Sequence, residues 1–413
     1  MKNNSNGQSP DLARPGWRSS RRRNAATPSR SSRVCRGPAA THSGLSLRRV
    51  RHLLTEATQR RILVLGDIML DEFIWGSVKR ISPEAPVPVV QFERESFMPG
   101  GAANVARNLA ALGVPTELFS IMGRDGAGKR LKGLLSEANV GSEGCLCSDS
   151  SVTTVKTRII AHQQQVVRLD RESPREPEKK AVFRLMRLIE EKMGSAAALI
   201  VGDYGKGIVT QPLLNWLKEK CQARGVWLSI DPKPAHTLNL SAVSLLTPNR
   251  KEAFELAAAS DTVRCSDPLN DKDLMGAAEN LLVTLRPGVL LITLGELGLL
   301  LCENGKQPVH IPTVAKQVFD VSGAGDTVIA TFTAAISAGA SPIEAAMLAN
   351  CAAGVVVGKV GTATASAQEL LANVFASNTD LTPRYGNVLG NGDRKMETGC
   401  LSRREGQQKF SYE

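Results

Sequence analysis

The chain has 413 residues, 42% of them hydrophobic, which is enough for one large α/β domain or two small ones with a real core. Its formal net charge of +11 sits at one end: residues 1–61 hold Lys2 and thirteen Arg against only Asp11 and Glu56, so the remainder is close to neutral. A near-neutral body gives no footprint for nucleic acid, and no run of 18 apolar residues is present to span a membrane as a helix.

Residues 1–58 are rich in Arg, Ser, Pro and Asn, lack apolar periodicity, and are predicted to be a basic disordered extension. They contain no continuous apolar stretch of the kind a secretory signal needs. An Arg/Ser-rich, acid-poor start has the composition of an organellar transit peptide, and a start codon assigned too far upstream gives the same composition. From Arg61 the character changes. ILVLGD (Ile62–Asp67) is a short apolar run ending in a polar turn, the pattern of a buried parallel strand. Comparable runs recur at 198–203, 226–231, 244–247 and 289–294, separated by helical stretches such as 101–112, 178–192 and 212–224. This alternation predicts an α/β fold with a doubly wound parallel sheet covered by helices on both faces. Ligands of such sheets sit beyond the carboxyl ends of the strands, and Asp67, Asp203 and Asp231 all fall there.

Two segments interrupt the alternation. Residues 87–97 and 153–170 are rich in Val, Thr, Ile and Gln with partial period-2 patterning, and are predicted to be strands of a small sheet projecting from the body. Between them lies PGGAANVARNLAALG (Pro99–Gly113), where Gly100 and Gly101 open a helix with small residues on one face and Asn104 in its first turns. In TPNRKE (Thr247–Glu252), Asn249 and Glu252 follow a strand and start a helix; a carboxylate there can hold Mg²⁺ through water. The motif DVSGAGD (Asp320–Asp326) leads into an apolar helix through Gly323, Ala324 and Gly325. Unpaired N–H groups at a helix start attract phosphate, and a carboxylate beside them can take the proton of an attacking hydroxyl. Taken alone, the same turn also fits an ordinary capped helix. Residues 376–413 lose periodicity and are predicted to be a mobile tail. The eight cysteines are scattered; Cys145 and Cys147 have no second pair or neighbouring His to complete a zinc site, so reduced thiols in a cytoplasmic protein are expected.

PGGAANVARNLAALG and DVSGAGD, in this order and about 220 residues apart, resemble the two signatures of the ribokinase/PfkB sugar kinases. The resemblance implies a ribokinase-like three-layer α/β/α domain, here 59–375, with the small sheet as a lid over the sugar and a homodimer contact. It implies ATP and Mg²⁺ as cofactors, Asp326 as catalytic base, and the Gly323–Gly325 amides as an anion hole. It further implies Glu252 on Mg²⁺ through water and Asn249 beside it. TLGELG (Thr293, Gly295, Gly298) resembles the family's nucleotide-contacting turn, and NCAAGVVVGKVG (Asn350, Gly354) the helix and loop flanking adenine. Within the family, GDIMLDEFIWGSVKRISPEAPVPVV (66–90), VKTRII (155–160), QQVVRLD (164–170), DYGKG (203–207), DPK (231–233) and VVVGKVGTAT (355–364) resemble the heptose 7-phosphate kinases. That implies phosphorylation of O1, with Asp67, Asp71, Gly100, Gly101 and Asn104 on the sugar and Lys156, Arg158 and Arg168 on its phosphate. A PfkB kinase for a fructose phosphate and a non-catalytic sugar-binding regulator are the alternatives. Gly202 stands where these kinases tend to have Ser. None of His42, His52, His162, His236 and His310 forms the HxGH motif of the nucleotidyltransferase fused to many such kinases, so the kinase alone is expected.

Overall fold

The computed structural model describes residues 45–162, 164–172, 177–315, 317–376 and 383–387. The predicted disorder of 1–44 and the predicted mobility of 377–382 and 388–413 lie outside the described residues. In chain order the first half contains α1 (Leu47–Ala57), β1 (Arg61–Gly66), β2 (Ile68–Ile81), β3 (Pro88–Gly101), α2 (Ala102–Ala111), β4 (Thr116–Gly123) and α3 (Gly126–Glu137). There follow β5 (Cys145–Ser148), β6 (Thr154–Ala161), β7 (Gln164–Arg171), α4 (Lys179–Met193), β8 (Ala196–Gly202), α5 (Gln211–Arg224) and β9 (Trp227–Asp231). The remainder is β10 (Leu245–Leu246), α6 (Arg250–Leu256), α7 (Lys272–Thr284), β11 (Val289–Thr293), β12 (Leu299–Cys302), β13 (Val309–Ile311), α8 (Ala324–Ser337), α9 (Pro342–Val356), α10 (Ala367–Ala376) and β14 (Arg384–Tyr385).

Strands buried on both faces send alternate side chains into two cores. Ile62 and Val64 of β1 pack with α1, α2, α8 and α9, whereas Leu63 and Leu65 pack with α4, α5 and α7. The resulting ten-stranded sheet runs β14-β13-β12-β11-β10-β9-β8-β1-β4-β5. β1 lies at the switch point, with the chain winding outward through β4 on one side and β8 on the other, so its carboxyl end opens onto the crevice expected for a ligand. The three-layer expectation holds, with one correction. The sheet is parallel only from β5 to β11; β12, β13 and β14 are antiparallel. The five residues joining β11 to β12 are too few for a crossover helix, which forces a reversal.

The chain leaves β1 at Gly66 and enters the projecting sheet at once, in the order β3-β2-β6-β7. The two predicted strand segments belong to it. β2 is an additional strand, and 153–170 is a hairpin of β6 and β7 that turns at His162 with φ 51°.

Both boundaries of the ordered body move outward. Residues 47–57, read as part of the disordered extension, form α1: Val50, Leu53, Leu54 and Ala57 are buried at helical spacing, and Ser46 caps the start by accepting from the Arg49 amide. Arg48, Arg49 and Arg51 dilute this stripe in the composition. Arg49 also clamps Glu344 of α9 at 2.7 and 3.1 Å. Within the predicted tail, β14 pairs with β13, His310 facing Arg384 and Val309 facing Tyr385.

Candidate active site

α8 starts where Gly323 turns the chain at φ 80°, a left-handed conformation that a side chain would strain; a Cβ there would also meet Asn104 Nδ2 at 2.5 Å. Ala324 and Gly325 are the first two helical residues and Asp326 the third, so their amides lie in the turn that has no helical acceptors. The Ala324 amide is directed to the Val321 carbonyl at 3.2 Å, whereas nothing lies within 4 Å of the Gly325 Cβ position.

The Asp326 carboxylate is buried and carries two donors. Asn104 Nδ2 donates to Oδ2 at 2.7 Å, and the Tyr204 hydroxyl donates to Oδ1. Burial pushes the Asp326 pKa up to about 6; the Tyr204 and Asn104 hydrogen bonds oppose that rise, Asp71 adds to it, and Lys156 opposes it. Asn104 is fully buried, and its carbonyl accepts from Asn108 Nδ2 at 2.9 Å while Asn108 Oδ1 accepts from Thr327 at 2.9 Å. Asn104 thus spends one of its amide donors on Asp326 and ties α2 to α8.

Asp67 is likewise turned inward. Its oxygens accept from the amides of Tyr204 (3.0 Å), Lys206 (3.0 Å) and Ile208 (3.1 Å), winding the loop after β8 around one carboxylate. That carboxylate thereby shapes the loop. Gly100 and Gly101 sit tight against the protein, since their Cβ positions lie 2.3 Å from Asp71 Oδ2 and 2.5 Å from the Asp67 carbonyl. Tyr204 was not singled out by sequence reasoning, although it sits in DYGKG one residue beyond a strand-end Asp. Gly202 is its seat: a Cβ there would meet the Tyr204 ring at 2.8 Å.

Asp71 is buried and paired with Arg158 at 2.6 Å; Arg168 is paired through both nitrogens with Asp170 at 2.8 and 3.0 Å. Both arginines thus hold carboxylates. Lys156, on β6 beside Asp71, has no ion pair among the described residues.

On the other side of α8, Asp231 accepts from Thr247 at 3.1 Å, and burial raises its pKa well above the usual carboxylate range, with Asp326 and then Glu252 adding to the rise. Asp231 thereby links the expected base to the expected Mg²⁺ residue. Asn249 and Glu252 form a reciprocal capping box at 3.0 Å each way, and Lys233 approaches Glu252 at 3.5 Å. Thr293 bridges to Asn249 and heads the turn containing Gly295 and Gly298. Asn350 donates to the Pro312 carbonyl at 2.7 Å, and Gly354 leaves 2.9 Å to Val314 Cγ2, so both pack against the segment following β13. Oxygen donors at Glu252 and Asp231 suit a hard cation such as Mg²⁺.

The pfkB family carbohydrate kinase pattern matches residues 59–369. The chain is 42% identical over 314 residues to bifunctional protein HldE of Desulfatibacillum aliphaticivorans, covering 76% of this chain and 63% of that protein. It is 43% identical over 324 residues to bifunctional protein HldE of Caulobacter vibrioides, covering 78% and 65%. The chain thus spans a little under two thirds of these relatives' length. Among solved structures it is similar to phosphofructokinase-2 from Escherichia coli in complex with substrates and products (TM-score 0.65, 20% identity, 77% of this chain and 99% of that one). Arabidopsis thaliana ribokinase complexed with ribose and ATP gives a TM-score of 0.60 at 18% identity, covering 76% and 98%. At these identities the two structures establish a ribokinase-like fold. With the family pattern running from β1 through α10 and its glycine turn opening α8 at a buried carboxylate, the chain belongs to the pfkB family of carbohydrate kinases, phosphotransferases acting on a sugar hydroxyl.

Proposed function

We propose that the chain phosphorylates D-glycero-β-D-manno-heptose 7-phosphate at O1, with ATP as donor and Mg²⁺ as metal, giving the 1,7-bisphosphate on the way to ADP-heptose for the lipopolysaccharide core. The observation that carries this is Asp326, a buried carboxylate with a pKa near 6 at the mouth of α8. Such a group is ionised at neutral pH yet basic enough to take the O1 proton as that oxygen attacks the γ-phosphorus in line. The Gly325 amide and its neighbours at the start of α8 would then carry charge on the transferring group. Glu252 with Asp231 would hold Mg²⁺, largely through water, and the ion would neutralise nucleotide phosphate charge. The choice of heptose rests on 38–43% identity to several bifunctional HldE proteins across the kinase region.

A panel of sugar phosphates with ATP consumption as readout tests the assignment. Heptose 7-phosphate is expected to be turned over far faster than fructose 1- or 6-phosphate, and a preference for a fructose phosphate overturns it. A homodimer through the lid belongs to the same reading, supported by apolar side chains exposed on that sheet, among them Phe92, Val167 and Leu169. Light scattering on the purified protein should give twice the chain mass, and a monomer at working concentration refutes it. The site lies in a protein expected to work in the cytoplasm, where ATP is available.

A further inference from the structure

Two lysines and one glutamate lie between the lid and the loop after β8. Of the three cations that the family resemblance implies for the sugar's phosphate, Arg158 and Arg168 already hold Asp71 and Asp170. Lys156 does not. It is half-buried, burial lowers its pKa, Asp71 and Asp170 attract it, and Lys206 and Arg168 repel it. Lys206 is fixed by its amide, which donates to Asp67 at 3.0 Å, while its ammonium pairs with Glu172 directly after β7. Register sets Lys156 opposite Asp170, two residues before Glu172, and Lys206 is among the charges acting on Lys156, so the two lysines lie near one end of the lid. Lys206 and Glu172 also line a groove of about 1030 Å³, through which a ligand can reach them. Two neighbouring like charges, one of them held by an exchangeable carboxylate, are a poor arrangement until a second anion arrives.

We propose that Lys156 and Lys206 together bind the phosphomonoester carried by the sugar substrate, and that Glu172 holds this place until the substrate displaces it. The proposal rests on the reading of the substrate as a sugar phosphate. A phosphate dianion offers three acceptor oxygens to the donors of the two ammonium groups, and the exchange of Glu172 for it breaks and makes only ion pairs. Under the proposed function the nucleotide's phosphates meet the start of α8 and the metal at Glu252, away from these lysines, so the two anions do not compete.

The test is steady-state kinetics of wild type, Lys206→Met and Glu172→Gln, varying heptose 7-phosphate, unphosphorylated heptose and ATP in turn. Lys206→Met is expected to raise KM for heptose 7-phosphate on the order of 10- to 100-fold without raising KM for ATP. Glu172→Gln should lower KM for heptose 7-phosphate and leave that for ATP unchanged. A rise in KM for ATP with Lys206→Met would assign the lysines to the nucleotide and overturn the proposal. So would an unchanged KM for the sugar phosphate, or an equal loss with unphosphorylated heptose. If wild type ignores heptose 7-phosphate, the heptose reading fails by itself; the variants are then measured with whichever sugar phosphate the panel selects, and selection of a sugar without phosphate overturns this proposal.

Discussion

The mouth of α8 and the face of the lid solve the same problem, holding charge out of water, in opposite ways. At α8 one buried carboxylate is held by two neutral donors, Asn104 and Tyr204, each anchored elsewhere: Asn104 through Asn108 to Thr327, Tyr204 through its amide to Asp67. On the lid, charge is held by charge, with Arg158 on Asp71 and Arg168 on Asp170. Neutral donors leave Asp326 its negative charge and a pKa of about 6, which the proposed proton transfer needs. Ion pairs can be exchanged for a ligand's charge, which recognition needs. Under the proposed function, the catalytic end is rigid by hydrogen bonding and the recognition end is adjustable by electrostatics.

Asp326→Asn would break the comparison most severely. The amide keeps the shape of the carboxylate but cannot take a proton, so kcat should fall on the order of 10²–10⁴-fold while thermal stability changes little. Activity near that of wild type would place the base elsewhere. At the lid, Arg158→Ala leaves Asp71 buried without its partner, and removing one member of a buried pair costs about 3–5 kcal/mol. Arg158 is 15% exposed and Asp71 4%, so the lower end of that range is expected, read as a drop in denaturation midpoint. Tyr204→Phe sharpens the contrast by a smaller amount. Losing one of the two donors to Asp326 removes an interaction that favours the ionised form, so its pKa rises above about 6 and the acid limb of the kcat profile moves to higher pH. The displacement should be on the order of one pH unit, with stability nearly retained. An unmoved limb with a lower KM would mean instead that the tyrosine hydroxyl merely occupies the place of the substrate's.

The same contrast governs what could be read from the sequence. The turn into α8 is a local event, in which three small residues and an aspartate within one helical turn carry both the geometry and the chemistry, so DVSGAGD was legible. The parallel strands were legible because burial on both faces makes them continuous apolar runs. What Asn104, Asp67, Arg158 and Arg168 touch depends on partners far along the chain or across a strand pair, and residue type alone named them without naming their contacts. Asn104 meets a group 222 residues away, and Arg158 meets Asp71 only because β2 and β6 run side by side. Tyr204 escaped notice for the same reason: its partner is fixed by the loop that Asp67 winds, and no spacing rule encodes that loop. α1 was hidden by composition, its apolar stripe of four being outweighed by arginines that point away from the core or to Glu344.

The smallest expected effect separates the two lid arginines. Arg168 is 50% exposed and Asp170 30%, so their pair works against solvent screening that Arg158 and Asp71 are spared. Arg168→Ala should cost under about 1 kcal/mol of stability, an effect that high salt would erase, whereas the Arg158→Ala loss should persist in salt. The same variant also bears on recognition. Freed from Arg168, Asp170 faces Lys156 across the β6–β7 pair and can neutralise it, so KM for the sugar phosphate should rise, but by less than Lys206→Met raises it. A rise as large as that of Lys206→Met would return Arg168 to direct contact with the substrate's phosphate and make its pairing with Asp170 a resting state, exchanged on binding as Glu172 is.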